Sequence, residues 1–309
     1  MLRQALLEMS RNHKIKSMIT AFPPTRGVVD TYVAGEQVED AISTARTLSD
    51  AGLLITVDQL GEDTQDEDQA TVATTGYLEV LDQLRKSSLS RGADVSVKLS
   101  AVGFYAGPSG AKLGLENARL ICTAARNAGA SVTIDMEDHN TTDDTVAAVH
   151  ELRQDFPTTG AVLQAYLRRT ESDCRELATA GSRIRLCKGA YSEPESVAYV
   201  ERHEIDKSYV RCLKTLINGD GYPMIASHDP RLIKIAEMLL SRSGRPANSY
   251  EFQMLYGIRS AEQRRLAAAG HQMRVYIPYG TDWYGYLVRR LAERPANLIL
   301  FARSIAGRR

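Results

Sequence analysis

Short apolar or β-branched runs recur along the chain at 53–57, 95–99, 132–136, 161–165, 184–187, 224–227, 252–255 and 275–277. Each is followed by a polar stretch with helical spacing. Several of these stretches carry caps: 143–153, 206–217, 229–240, which opens on Asp229-Pro230, and 260–269, which runs into Gly270. Strands alternating with helices predict a parallel sheet with crossover connections. Eight of them predict an α/β fold of the closed (β/α)8 TIM-type barrel class, distorted and preceded by N-terminal helices, with an open doubly wound sheet as the other arrangement. Residues 1–20 read as an amphipathic helix, and the chain reads as one domain over 1–309 whose first 50 residues form a helical segment.

Strand alternation then sorts the polar residues. Outward positions must be apolar to meet the helices, so the other set faces the barrel interior. Opposite Val95, Val97 and Leu99 stand Ser96, Lys98 and Ser100, and opposite Val132, Ile134 and Met136 stand Thr133, Asp135 and Glu137. Arg183 and Arg185, Glu251, Gln253 and Leu255, and Arg274 and Tyr276 fall on the inner set of their strands by the same rule. Buried charge needs compensation, and the signs complement each other, with Lys98 and Arg185 available to Asp135 and Glu251. The polar groups cluster late in several strands, at the end where barrel active sites are built. A polar layer of ion pairs without catalytic duty is the plainer reading.

A last helix-like stretch follows the eighth strand. At helical spacing Tyr286, Arg289, Arg290 and Glu293 share one face, nearly opposite a stripe of Tyr284, Leu287, Val288 and Leu291. Paired guanidiniums suit capture of a small carboxylate or phosphate. The same face also reads as a solvated one with an Arg289/Glu293 pair. Between the first strand and the next helix, the acidic segment 61–69 reads as a surface connection.

Composition narrows the class of ligand. Lysine plus arginine equals aspartate plus glutamate at 38 each, so no global field draws the chain to nucleic acid, and charge-based function must be local. The four cysteines, Cys122, Cys174, Cys187 and Cys212, have neither disulfide-scaffold density nor zinc spacing, and a reducing cytoplasm is expected. No run reaches the roughly 18 apolar residues that a membrane-spanning helix needs, although contact with a membrane surface stays open. Nothing in the pattern selects an oligomeric state.

Asp135-Met136-Glu137-Asp138-His139 is the densest acid and imidazole cluster, with His228 at the end of the sixth strand. A metal-dependent barrel lyase or hydrolase on a small carboxylate could use Asp135, Glu137, His139 and His228, but alternation separates these donors and a metal is not expected. No nucleophile elbow, phosphate-binding P-loop or dinucleotide fingerprint is present. Arg185-Leu186-Cys187-Lys188-Gly189-Ala190-Tyr191 pairs two cations with a Gly-Ala that admits a flat or phosphorylated ligand, or is simply a βα turn.

Val97-Lys98-Leu99-Ser100, Ile134-Asp135-Met136-Glu137-Asp138-His139, Leu163-Gln164-Ala165-Tyr166, Arg185 with Lys188-Gly189-Ala190-Tyr191, Phe252-Gln253-Met254-Leu255-Tyr256-Gly257, and Tyr286 through Glu293 together resemble the flavin-dependent proline dehydrogenases. The match runs in order from the first strand to the C-terminus. Its length resembles the monofunctional bacterial members, leaving no room for the fused aldehyde dehydrogenase module. The resemblance implies a barrel that binds FAD and oxidises L-proline to Δ1-pyrroline-5-carboxylate by hydride transfer to flavin N5, with a membrane quinone as acceptor and a cytoplasmic location, peripheral at most to the inner face of the membrane.

It also implies roles. Lys98, Arg289 and Arg290 would hold the substrate carboxylate, Tyr286 and Leu255 would pack its ring, and Tyr276 would stand near the far edge and favour proline over hydroxyproline. Asp135 and Arg185 match catalytic positions, Arg185 beside flavin N5. Met136, Gln164, Lys188, Gly189, Ala190, Ser227 and His228 match positions that contact FAD. Glu293, grouped with them, matches an acidic residue near the substrate arginines. Ser192, Ser227 and Asp58-Gln59-Leu60-Gly61-Glu62 depart from the family pattern at the cofactor periphery. A silent binding protein that keeps the arginine cage is the third reading, separated from an enzyme by whether proline bleaches a yellow protein.

Overall fold

Eight parallel strands pair each with the next, and the eighth returns to the first, which closes the barrel. The computed structural model describes residues 26–293, with side chains from 29 to 290. The helix expected over 1–20 and the side chain of Glu293 therefore lie outside the described residues. Two helices, α1 (Arg26–Tyr32) and α2 (Val38–Asp50), precede the barrel. Its strands are β1 (Leu54–Gln59), β2 (Asp94–Val97), β3 (Ser131–Ile134), β4 (Gly160–Gln164), β5 (Arg183–Cys187), β6 (Tyr222–Ala226), β7 (Glu251–Leu255) and β8 (Met273–Tyr279). Each matches a run read from the sequence to within a few residues. The crossovers are α3 (Glu67–Lys86), α4 (Gly110–Ala128), α5 (Thr142–Asp155), α6 (Thr170–Leu177), α7 (Arg202–Asn218), α8 (Pro230–Ser243) and α9 (Ser260–Ala268), and α10 (Trp283–Glu293) follows β8. Asp229 caps α8 by accepting from the Arg231 N–H at 2.9 Å, with Pro230 in the first turn, as its Asp-Pro opening predicted.

The apolar core lies between the strands and the helices, because the outward set carries Val95, Val97, Ile134, Leu186, Phe252, Val275 and Ile277, all nearly inaccessible. The inward set is polar, as alternation required. Arg274 clamps Glu251 from two nitrogens, Nε at 2.6 Å and Nη2 at 2.9 Å. Asp94 accepts from Thr133 on β3 at 2.9 Å and from Arg183 and Arg185 on β5 at 3.1 and 3.2 Å. Residues on β2 and β5 can meet only through the interior, so these bonds fix which face is inside. Burial alone would raise the Asp94 carboxyl, but Arg183, Arg274, Arg185 and Ser131 outweigh it and hold it down to about 2. The expected partner of Glu251 is thereby corrected: it is held by Arg274 and by Gln253, and neither Lys98 nor Arg185 reaches it.

Helix α10 is seated by its apolar stripe. Trp283, Tyr284, Leu287 and Val288 pack on Val29 and Val33 of the α1 region and on Leu60 beyond β1. The α1–α2 connection braces its entry, with Ala34 N–H donating to Pro278 O at 2.9 Å and Trp283 Nε1 donating to Glu36 at 3.2 Å. Tyr286 is buried with the stripe, although spacing had put it with the arginines.

Candidate active site

A cavity of about 970 Å³ opens at the carboxyl ends of the strands, with Tyr286, Arg289 and Arg290 of α10 on its wall. Such a size suits an organic ligand, and this is the barrel end where loops converge. Every residue singled out from the sequence lines it except Glu293, which lies outside the described side chains.

The charged centre is built from four strands. Arg185 donates from Nη1 to Asp135 at 2.7 Å and to the Ser96 hydroxyl at 2.8 Å, and from Nη2 to Asp94 at 3.2 Å. Asp135 also accepts from Ser96 at 2.8 Å and from the Tyr276 hydroxyl at 2.9 Å. Burial works against the Lys98 ammonium, but Asp58 at 2.8 Å, Tyr276 and Asp135 at 3.9 Å more than offset it and keep it protonated. Burial likewise pushes the Tyr276 phenol up, followed by Asp135 and Asp58, so its hydroxyl stays a donor.

The second wall comes from β4, β5 and β6. Gln164 donates to Glu137 O at 2.7 Å and accepts from the Ala190 N–H at 3.4 Å. Gly189 has φ +122°, and a Cβ there would strike the Tyr166 ring, so only glycine fits. Lys188 lies between Asp206 at 2.6 Å and Asp229 at 3.0 Å. Ser227 Oγ accepts from the Asp229 N–H at 3.1 Å, and His228 Nε2 accepts from the Leu255 N–H at 3.0 Å. Met136 is buried beside them.

On α10, Arg289 pairs with Glu62 at 2.8 Å, and the Arg290 guanidinium sits 5.4 Å from the Tyr286 ring centre. The acidic segment 61–69 is therefore not mere surface, since one of its members reaches the arginine helix. The donors of the metal reading are dispersed. Asp135 serves Arg185, Glu137 accepts from Ser100, His139 meets Glu193, and His228 serves Leu255. Among the described residues no three His, Cys, Asp or Glu side chains gather as a metal site.

Known proteins agree with this geometry. The proline dehydrogenase family model matches residues 41–301. Proline dehydrogenase 1 of Bacillus subtilis subsp. natto is 35% identical over 305 residues, covering 99% of both chains. The chain belongs to the proline dehydrogenase family. Proline dehydrogenase of Deinococcus radiodurans is also 35% identical, over 96% of this chain and 94% of its own. A crystal structure of proline utilization A from Bdellovibrio bacteriovorus, inactivated by N-propargylglycine, superposes with a TM-score of 0.81 at 25% identity over 94% of this chain. This chain spans 38% of that larger one. Family membership makes this chain an enzyme of proline oxidation and implies a flavin cofactor.

The cavity fits such a group on its own terms. Its volume is that of an organic-ligand site, and the buried Nε of Arg185 on its wall has no acceptor among the described residues. Proline dehydrogenase membership also frames what the sequence reading missed. Asp58, Asp94, Glu62 and Glu193 each hold a residue that reading named or discussed. Asp58 follows the inward rule on β1, opposite Ile55 and Val57, and Asp94 follows it on β2, so alternation had the signal for both. Glu62 and Glu193 sit on loops, where no periodicity applies.

Proposed function

We propose that this chain is an FAD-dependent proline dehydrogenase that oxidises L-proline to Δ1-pyrroline-5-carboxylate in the first step of proline catabolism and passes the electrons to a membrane quinone. The observation that carries the reading is the meeting, in one cavity, of Lys98, Arg289 and Arg290 with the Asp135–Arg185 pair. When bound, FAD supplies the acceptor for the hydride at its N5. The protein's contribution is position and electrostatics.

In this reading Lys98, Arg289 and Arg290 fix the substrate by its carboxylate. Arginine forks aim a carboxylate as well as bind it, so the ring carbon beside the amine takes a set place. Leu255 and Tyr286 wall the ring, and Tyr276, tied to Asp135, bounds its far side and favours proline over hydroxyproline. Arg185 is held by Asp135, Ser96 and Asp94, which leaves its Nε–H for an acceptor on the flavin. Met136, Gln164, Lys188, Gly189, Ala190, Ser227, His228 and Glu293 complete the cofactor and substrate surroundings. The location is cytoplasmic, with peripheral contact at the membrane where the quinone resides. Among the described residues no helix is long and apolar enough to cross a membrane.

A visible spectrum of the purified protein tests the reading. The expected result is flavin bands that proline bleaches under anaerobic conditions and a soluble quinone restores. A colourless protein whose activity requires a divalent metal would overturn it, and a yellow protein that ignores proline would move the substrate to another amine.

A further inference from the structure

Glu193 lies in the β5–α7 connection, yet its carboxylate touches the two preceding βα connections as well. The side chain is only 3% exposed. Oε1 accepts from the His139 N–H after β3 and from the Tyr166 hydroxyl after β4, each at 3.1 Å. Oε2 meets Nδ1 of the same histidine. No lysine or arginine pairs with it among the described residues, so histidine, amide and phenol together satisfy a buried carboxylate. A carboxylate has lone pairs in several directions and can join donors 27 and 54 residues away in sequence.

Tyr166 carries the constraint onward. Its ring fills the space where a Cβ on Gly189 would stand, and its N–H donates to Lys188 O at 2.8 Å. Its own carbonyl accepts from the Tyr199 N–H at 2.7 Å. Burial first, then Glu193, pushes the phenol above its ordinary range, so the hydroxyl remains a donor. Residues Lys188, Gly189 and Ala190 line the cavity directly above this ring contact.

We infer that Glu193 is a positioning residue: it ties the β3, β4 and β5 connections into one rim and, through Tyr166, sets the backbone of 188–190 on the cavity wall. The geometric part stands without a ligand; its consequence for cofactor retention rests on the flavin reading above.

Hydrogen exchange on the purified full chain, together with flavin titration, tests this. Glu193→Ala should raise exchange at 139–141 and 188–191 while leaving the barrel strands at wild-type protection, and should weaken flavin binding by about tenfold. Tyr166→Phe should weaken it several-fold alone and add nothing in the Glu193→Ala background, because both act through one contact. Glu193→Gln keeps an acceptor for the amide and the phenol and should recover most of the loss. Unchanged exchange at 188–191 in Glu193→Ala, or strictly additive losses in the double variant, would overturn the inference. A uniform rise across the strands with a lowered Tm would do the same, since that is what a merely structural residue gives. A wild-type protein that binds no flavin would sink the proposed function alone, and the exchange result would still decide this one.

Discussion

Arg185 and Asp135 meet inside the barrel, Nη1 to Oδ1 at 2.7 Å, although a whole strand separates β3 from β5. Ser96 on β2 and Tyr276 on β8 close on the same carboxylate. Four strands thus converge on Asp135. A group held by so many partners has one orientation, which is what pre-organised catalysis needs from its side chains.

Tyr276→Phe deletes one of those partners and little volume. The fold should persist, with Tm lowered by no more than about 4 °C. Turnover should suffer more, with kcat/KM for proline falling roughly 10- to 100-fold, as expected for loss of a buried hydrogen bond to a charged group. Steady-state kinetics beside a thermal melt decides it, and kinetics equal to wild type would show that the phenol does not matter.

Arg289→Met should separate substrate from cofactor. Arg289 pairs with Glu62 on the cavity wall, where a substrate carboxylate would meet it. KM for proline should rise at least about tenfold with flavin content near wild type, because a charge-assisted contact is lost only with the substrate. Equal substrate affinity in the variant contradicts the carboxylate role.

Gly189→Ala forces a side chain into φ +122° and against the Tyr166 ring. Strained backbone of this kind costs about 1–3 kcal/mol before the clash is counted. A lower Tm and a reduced ratio of flavin to protein absorbance are expected, and a variant with wild-type values for both would refute the packing described at this turn.

Glu137 gives a pH signature. Burial pushes its carboxyl from 4.5 up to about 7, against the opposing bonds from Ser100. A raised carboxyl favours the folded state in its protonated form, so its contribution is complete below pH 4.5 and is lost as pH rises through about 7. The span corresponds to roughly 3 kcal/mol. Glu137→Gln lacks this titration, so wild type should lose stability relative to the variant between those two values; chemical denaturation across pH measures it, and a flat difference speaks against the shift.

How much of this was legible beforehand follows the physics of each signal. The strands of the barrel and the inward set, Lys98, Asp135, Arg185, Gln253 and Tyr276, came from period-two alternation, which a helix-covered parallel sheet imposes on every strand. Pairing within that set did not. Glu251 takes Arg274 and Lys98 takes Asp58, because register between strands, absent from any one strand's pattern, decides who stands beside whom.

By itself the sequence determined the (β/α)8 order, the polar interior and the run of motifs that marks the family, since these are written in local periodicity and in residue types at fixed spacing. The tertiary structure alone decided that Glu62 on the acidic loop reaches Arg289, that Tyr286 is buried with the apolar stripe of α10, and that Glu193 joins three connections. Those contacts depend on barrel closure, which brings segments far apart in the chain within hydrogen-bonding distance and leaves no trace in any local pattern.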